Sequence, residues 1–304
     1  MTGRRVYDPD QPAPSGTFMM LLALLLSLAI TQTPAPQPVS VAPLTVMSFN
    51  IRYGTANDGD NHWLKRREAL FALLREQQPD VIGLQEALHG QIAEIMQAVP
   101  GYAYVGVGRS DGRQAGEYAA ILYRTGRLQV RRSDTFWFSD TPGVVKSTSW
   151  GNQIERICTW AYFEDHEGPA FFAFNVHLDH LSQPSRERSV ALLLDKIALR
   201  DPRAPVVVTG DFNAGENNPA AVAMRASFRD SFRVLQPDAT EVGTFSGFTL
   251  GQTSGDKIDF VFVEPGTEVL DAVIVRTSRD GRYPSDHFPV TARIRLREAG
   301  HPGS

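Results

Sequence analysis

Residues 205–218, PVVVTGDFNAGENN, decide how this chain is read. The β-branched run at 206–208 predicts a buried strand, which stops at Gly210 with a carboxylate and a carboxamide, Asp211 and Asn213, just past it. Side chains alternate along a strand, so Asp211 and Asn213 fall on one side and Phe212 turns the other way, into a core. Such a pair can hold a hard cation or align a water for attack. A strand running into an Asx-rich turn would look the same over these four residues, and the rest of the chain separates the two readings.

Working outward, residues 44–51 (LTVMSFNI) predict a strand that delivers Asn50 to its far end, followed by a polar loop at 52–61. A helix at about 64–77 carries Leu70, Leu73 and Leu74 on one face, and Pro79 closes it. Residues 81–84 predict a short strand ending at Gln85 and Glu86, and Ile92, Ile95, Met96 and Val99 then form the stripe of a core-facing helix. Residues 102–107, 118–124 and 128–138 read as successive antiparallel strands joined by turns at Gly112, Gly116 and Gly126. Strands at 156–163 and 170–178 continue the pattern, and in the second Phe172, Phe174, Val176 and Leu178 alternate with Asn175, His177 and Asp179. A helix at 184–199 precedes the GDFN strand; short helices at 219–226 and 228–235 and strands at 258–263, 269–276 and 289–296 follow it. Strands and helices alternate at both ends around an antiparallel run, which predicts an α/β (α+β) architecture of mixed sheets with helices outside.

The 304 residues, 42% hydrophobic and 21% charged, are ordinary globular material. A net charge of −4 argues against a broad electrostatic grip on nucleic acid. Residues 18–30, FMMLLALLLSLAI, form an apolar run preceded by Arg4 and Arg5 and followed by a proline-rich stretch. Spanning a bilayer takes roughly 20 apolar residues, so the run reads as the core of an export signal, with a retained membrane anchor as the alternative. The expected organisation is an N-terminal signal or anchor with linker (1–43), a catalytic domain (44–297) without an internal linker, and a C-terminal tail (298–304). The expected location is periplasmic, extracellular or membrane-anchored, with membrane contact only through the N-terminal segment. The single cysteine, Cys158, flanked by Ile157 and close to Trp160, reads as a buried strand residue rather than a nucleophile.

Polar residues recur at strand ends: Asn50, Glu86, Glu117, Arg156, His177, Asp179, Asp211, Asn213, Asp259, Asp286 and His287. The blocks MSFNIRYG, DVIGLQE, GEYAAILYR, NVHLDH, VTGDFNA, KIDFVFV and SDHFPV, in this order, resemble the endonuclease/exonuclease/phosphatase superfamily, the deoxyribonuclease-I-like fold. The resemblance covers about residues 44–297 and is carried most specifically by the GDFN and SDH pair. It implies a four-layered sandwich, two packed mixed β-sheets flanked by helices, with a metal-dependent phosphoesterase site at one edge. Carboxylate and carboxamide oxygens suit Mg²⁺ or Mn²⁺, and the lack of clustered His and Cys argues against zinc.

By this resemblance Glu86 is the principal metal ligand, with Asn50 close to metal and phosphate and Asp286 in the same region. Asp211 orients or deprotonates the attacking water beside Asn213, and His287 binds phosphate or helps activate the nucleophile while Asp259 fixes its imidazole. His177 donates to a phosphoryl oxygen, Glu117 pairs with it, and Arg156 lies near the phosphate. The division between base and metal ligand stays open. Asp58, Trp63, Trp150, Asn152, Asp179, His180, Phe245 and Phe248 are further candidates for lining a substrate pocket, with Asp179 and His180 foremost. The expected activity is hydrolysis of a phosphomonoester or phosphodiester by direct attack of water; the substrate is a small phosphorylated molecule, a lipid headgroup or a nucleic acid. The competing expectation is a non-catalytic binding or scaffold protein, which the loss of Glu86, Asp211 or His287 would have favoured; all three are present.

Overall fold

Central strands grow steadily more polar toward one end of this molecule, on the faces they turn toward each other. The computed structural model describes residues 1–3 and 41–297; the apolar run at 18–30, the stretch up to residue 40 and the tail at 298–304 lie outside them. The chain runs β1 (Leu44–Asn50), α1 (Trp63–Gln77), β2 (Val81–Gln85), α2 (His89–Ala98), β3 (Tyr102–Val105), β4 (Ile121–Arg124), β5 (Leu128–Trp137), β6 (Ile157–Asp165) and β7 (Phe171–His177). It continues with α3 (Gln183–Ala198), β8 (Val206–Asp211), α4 (Pro219–Arg225), β9 (Arg229–Asp230), α5 (Ser231–Leu235), β10 (Asp259–Val263), β11 (Glu268–Ile274) and β12 (Val290–Arg295).

Two six-stranded sheets result, ordered β11-β12-β1-β2-β4-β3 and β5-β6-β7-β8-β10-β9. Each is mixed: β1 with β2 and β7 with β8 are parallel pairs, joined through α1 and α3, and the other pairings are antiparallel. The outer face of the first sheet packs Met47 and Phe49 against Leu70 and Leu74 of α1 and Ile92 and Ile95 of α2. On the second, Phe172, Phe174 and Val176 meet Val190, Leu193 and Ile197 of α3 and Met224 of α4. The molecule is therefore an α/β sandwich of helices, sheet, sheet and helices.

Period-2 alternation sorts the facing surfaces into rows. Val46 pairs with Val81 in one sheet and Ala173 with Val207 in the other, and all four join an apolar inter-sheet core with Phe163, Phe171 and Val261. One step further along, Ser48 lies opposite Gly83, and Asn175 opposite Thr209. Gln85 Nε2 donates across the gap to Asn175 Oδ1 at 2.6 Å, and Asn175 Nδ2 donates back to the carbonyls of Leu84 (2.8 Å) and Ala120 (2.9 Å). Gly210 N donates to Ser48 Oγ at 2.9 Å, and Thr209 Oγ1 to Asn175 Oδ1 at 3.0 Å. These groups are buried, so each bond satisfies a dipole that would otherwise be stranded away from water. Gly83 permits the close approach: a Cβ there would lie 2.5 Å from Asn175 Oδ1 and collide with Thr209 Oγ1.

Three expectations about elements are corrected. Residues 128–138 do not continue the antiparallel run of β3 and β4; as β5 they form an edge of the second sheet and pair with β6. The buried Arg127 explains the crossing, since it bonds Asp165 of β6 (2.9 and 2.8 Å) and Asp80 just before β2 (3.1 Å), bridging the layers at the turn. The strand expected at 118–124 is Ile121–Arg124, with Tyr118 forming only a bridge to Ala87. The helix expected at 228–235 begins at Ser231, because Asp230 caps Phe232 N (3.1 Å) and belongs to β9, its other oxygen taking Lys257 Nζ at 2.8 Å. Cys158 is buried in the outer core of the second sheet, as expected. Among the described residues no helix is long and apolar enough to cross a membrane.

Overpacking a filled interior costs about 1–3 kcal/mol, so Gly83→Ala is expected to lower the urea midpoint correspondingly with an unchanged slope. A midpoint equal to that of the wild type would show that the sheets are not held this close in solution.

Candidate active site

The next row after the buried polar one is ionisable. β1 ends at Asn50, β2 runs into Glu86, β7 ends at His177, β8 ends at Asp211, and β10, running the other way, begins at Asp259. Register places His177 and Asp259 on either side of Asp211 in the second sheet. Above this row opens a cleft of about 670 Å³ lined by Arg52, Glu86, Glu117, Arg156, His177, His180, Asp211, Asn213, Phe245, Phe248, Asp286 and His287, among others. Expected residues from distant parts of the chain thus converge on one cavity, while Asn50 and Asp259 are buried and meet it through Asp211 and His287.

Asp211 is its centre. Its Oδ2 accepts from Asn50 Nδ2 at 2.9 Å and lies 3.7 Å from His177 Nε2 and 3.9 Å from His287 Nε2; its Oδ1 accepts from Asn213 N at 2.8 Å. Burial, and then the negative charge of Asp259, push the Asp211 carboxyl up to about 7. His287 Nδ1 bonds Asp259 Oδ2 at 2.9 Å. Burial opposes its charge, but Asp259 and Asp211 prevail and hold the imidazole well above its ordinary range. His177 goes the other way: burial, reinforced by Arg156 and Arg109, holds it well below. One imidazole beside Asp211 is therefore charged at neutral pH and the other neutral.

Arg156 NH1 lies 3.1 Å from His177 Nε2, and NH2 lies 2.7 Å from His180 Nδ1. A guanidinium only donates, so both of these nitrogens accept, and the His177 proton sits on Nδ1, 3.9 Å from Glu117 Oε2. Glu117 stands within ion-pair distance of His177, as expected, and makes its hydrogen bond to Arg109 (2.8 Å). Arg156 takes up His177 Nε2, so the donor that His177 retains is Nδ1. The cleft-facing donors at this end are the Arg156 guanidinium and, across Asp211, His287.

Asn50 is fully buried beneath the cleft. Its Nδ2 faces Asp211 and Glu86 Oε1 (3.1 Å), while its Oδ1 accepts from Arg52 N (3.0 Å), so in this orientation it offers the acids an amide donor and not the oxygen a cation needs. Glu86 Oε2 and Asp286 Oδ2 lie 3.9 and 3.8 Å from the Arg52 guanidinium, and burial raises the Asp286 carboxyl. Two cleft-lining carboxylates on one cationic group form an all-oxygen donor set that fits a hard divalent ion. Asp211, Asp259 and His287 also bring one ligand atom each within 4.8 Å of one another. There, however, the His287–Asp259 hydrogen bond already uses Nδ1 and one carboxylate oxygen.

Of the pocket candidates, His180, Asp58, Phe245 and Phe248 line the cleft. Asp179 does not: it is buried, with Oδ1 accepting from Leu181 N (2.9 Å) and Ser182 N (2.6 Å) and Oδ2 facing Arg156 Nε (3.4 Å), so it shapes the loop rather than meeting substrate. Trp63 bonds Glu94 (3.1 Å), Trp150 bonds Asp140 (2.8 Å) and Asn152 bonds the Phe138 carbonyl (3.3 Å); these three pack loops. Arg52 and Arg109 were missed. Arg52 sits directly after Ile51 in the NIRYG block, a visible signal, whereas Arg109 lies in a turn-rich segment with no signal of its own. Arg52, Glu86, Asn213 and Phe248 have positive φ (55°, 60°, 46° and 65°), a conformation that costs a residue with a Cβ.

Residues 47–287 match the model of the endonuclease/exonuclease/phosphatase family, and the chain belongs to it; members of this family hydrolyse phosphoester bonds. The chain is similar to a Bacteroides vulgatus member of known structure (32% identity, 84% of this chain and all, 100%, of that one, TM-score 0.77). It is also similar to a Bacteroides thetaiotaomicron mannosyl-6-phosphatase (31% identity, 83% of this chain and 99% of that one, TM-score 0.75). An uncharacterised protein of Acanthamoeba polyphaga mimivirus is 31% identical over 165 residues, 51% of this chain; the match spans only 60% of that relative's length.

The opposed histidines are open to test by NMR. In the wild type His287 is expected to stay protonated well above pH 6.5 and His177 to stay neutral well below it. Asp259→Asn removes the larger attraction and leaves the burial and Asp211, so the His287 titration should fall; an unmoved titration would mean that Asp259 does not hold the imidazole charge.

Proposed function

We propose that this protein is a metal-dependent phosphoesterase that removes a phosphoryl group from a small phosphomonoester by direct attack of water. The observation that supports this most is the placement of one buried carboxylate, Asp211, between a charged and a neutral imidazole in the cleft that also holds Glu86 and Asp286. Glu86 and Asp286 would hold Mg²⁺ or Mn²⁺, which when bound neutralises phosphoryl oxygen and stabilises the departing oxyanion. Asp211, pushed up to about 7, accepts a proton from the water as its oxygen attacks phosphorus. The charged His287 donates to a phosphoryl oxygen, and Asp259 keeps its Nε2 aimed at the cleft. Arg156 offers a fixed positive charge on the far side of Asp211. As the P–O ester bond breaks, the electron pair stays on the leaving oxygen, which takes up a proton from solvent and is released as the alcohol.

The small-molecule reading is favoured by a cleft of about 670 Å³, within the usual range of ligand pockets, and by the net charge of −4. The likeness to a mannosyl-6-phosphatase supports a sugar phosphate as the first class to assay. The apolar run at 18–30 supports export or anchoring of the catalytic domain outside the cytoplasm.

Hydrolysis of p-nitrophenyl phosphate, bis-p-nitrophenyl phosphate, a panel of sugar phosphates and plasmid DNA tests the proposal. Activity should vanish with EDTA and return with Mg²⁺ or Mn²⁺, and Asp211→Asn or His287→Ala should each lower kcat by about 10²–10⁴-fold. Because Asp211 acts deprotonated, kcat/KM should rise with pH through about 7. Wild-type hydrolysis equal to that of the Asp211→Asn/His287→Ala double variant on every substrate would favour the scaffold reading, and a preference for plasmid DNA would overturn the small-molecule one.

A further inference from the structure

Arg66, on the first turn of α1, is not among the residues that line the cleft; it is buried with its guanidinium set among carbonyl oxygens. Nε donates to Asn61 O at 2.9 Å, NH1 to Ile51 O at 2.8 Å and to Pro284 O at 2.7 Å, and NH2 to Arg52 O at 2.9 Å. Four of its five N–H groups are thereby used, all on backbone carbonyls, and among the described residues it forms no ion pair within 4 Å. The rings of Trp63 and Phe248 lie 5.2 and 5.6 Å from its centre. Burial draws the guanidinium down to about 10, so it keeps its charge at neutral pH.

The bonded carbonyls belong to the segments that carry the chemistry. Ile51 and Arg52 directly follow Asn50, and Pro284 stands two residues before Asp286 and three before His287. Phe248 belongs to the loop whose Ser246 N donates to Asp286 O at 2.7 Å and whose Phe245 forms a bridge with His287. Arg52 is held by further bonds, its N on Asn50 Oδ1 (3.0 Å) and its O also on Gln91 Nε2 (3.0 Å), in a left-handed conformation with φ 55°. An ordinary helix anchor would need an apolar side chain here. A planar fork of donors instead measures the distance between two loops, because NH1 alone spans Ile51 and Pro284.

We propose that Arg66 is a positioning residue for catalysis: it fixes the loop after β1 against the loop carrying Asp286 and His287, and so sets the separation of Asn50 and Glu86 from His287. This rests on the phosphoesterase reading above. A lysine at 66 keeps the charge and has one nitrogen that can meet two carbonyls, but it lacks the planar fork that at the same time holds Asn61 O and Arg52 O.

Steady-state kinetics of Arg66→Lys and Arg66→Ala against p-nitrophenyl phosphate, or the best panel substrate, test this, with far-UV circular dichroism and melting curves as folding controls. Misplacement of reacting groups by about 1 Å costs on the order of 10²-fold, so folded Arg66→Lys should lose about 100-fold in kcat with KM within about threefold. Added guanidinium ion should restore part of the activity of Arg66→Ala and none to Asp211→Asn. Folded variants with wild-type kcat, or an Arg66→Ala that guanidinium leaves unchanged, would overturn the proposal. Should neither variant fold, hydrogen exchange of the wild type decides: amides in 51–54 and 284–287 should exchange slowly and together with α1, and rapid, independent exchange would refute the coupling. An inactive wild type would instead count against the phosphoesterase reading itself.

Discussion

The site depends on a thin polar layer buried between two sheets. Below it the sandwich is held by apolar surface, which is non-directional and tolerates sliding. The bonds from Gln85 to Asn175, from Asn175 to the Leu84 and Ala120 carbonyls and from Gly210 to Ser48 are directional, and each joins one sheet to the other. Ser48 and Asn175 lie one strand step beneath Asn50 and His177, and Gln85 lies beside Asn50, so these bonds align the two halves of the row that lies at the cleft. Asn50 and Glu86 come from one sheet and His177, Asp211 and Asp259 from the other. The 2.9 Å contact between Asn50 and Asp211 exists only while that layer keeps its alignment.

Upon this frame the electrostatics follow from burial and neighbours. Three acids and two imidazoles crowded in a dry row cannot all ionise independently, and their neighbours sort them. Asp259 is fully buried with its Oδ1 unpartnered among the described residues, a costly placement compensated by the charge it holds on His287. Arg156 and Arg109 do the reverse on the far side and keep His177 neutral. Asp211 therefore lies between a charged imidazole, His287, and a neutral one, His177, whose Nε2 accepts from the Arg156 guanidinium.

Much of this was legible in the sequence, and the legible part has a common cause. Strands announce their ends through alternation, so Asn50, His177 and Asp211 could be placed at one edge from periodicity, and Glu86 and His287 from the blocks around them. What stayed hidden depends on directions that no period encodes. Asp179 follows His177 by two residues and reads as its partner in the cleft, yet the strand has ended and its carboxylate folds back on Leu181 and Ser182. The crossing of β5 to the other sheet was invisible because a glycine turn serves equally well within a hairpin or between layers; the buried Arg127 and its two distant acids decide it. Arg66 carries no signal in the sequence that sets it apart from Arg67 beside it on the same helix; only the four carbonyls around it do.

Arg52, Glu86, Asn213 and Phe248 share a left-handed backbone at the mouth of the cleft. At Arg52, Glu86 and Phe248 this costs about 1–3 kcal/mol that the surrounding bonds must offset, and asparagine at 213 bears it most easily. Selection for thermal endurance alone would therefore draw these positions toward glycine, which relaxes the main chain and at Glu86 deletes the carboxylate. Sequences drawn that way would preserve the sandwich and carry the change at backbone corners while every strand stayed intact.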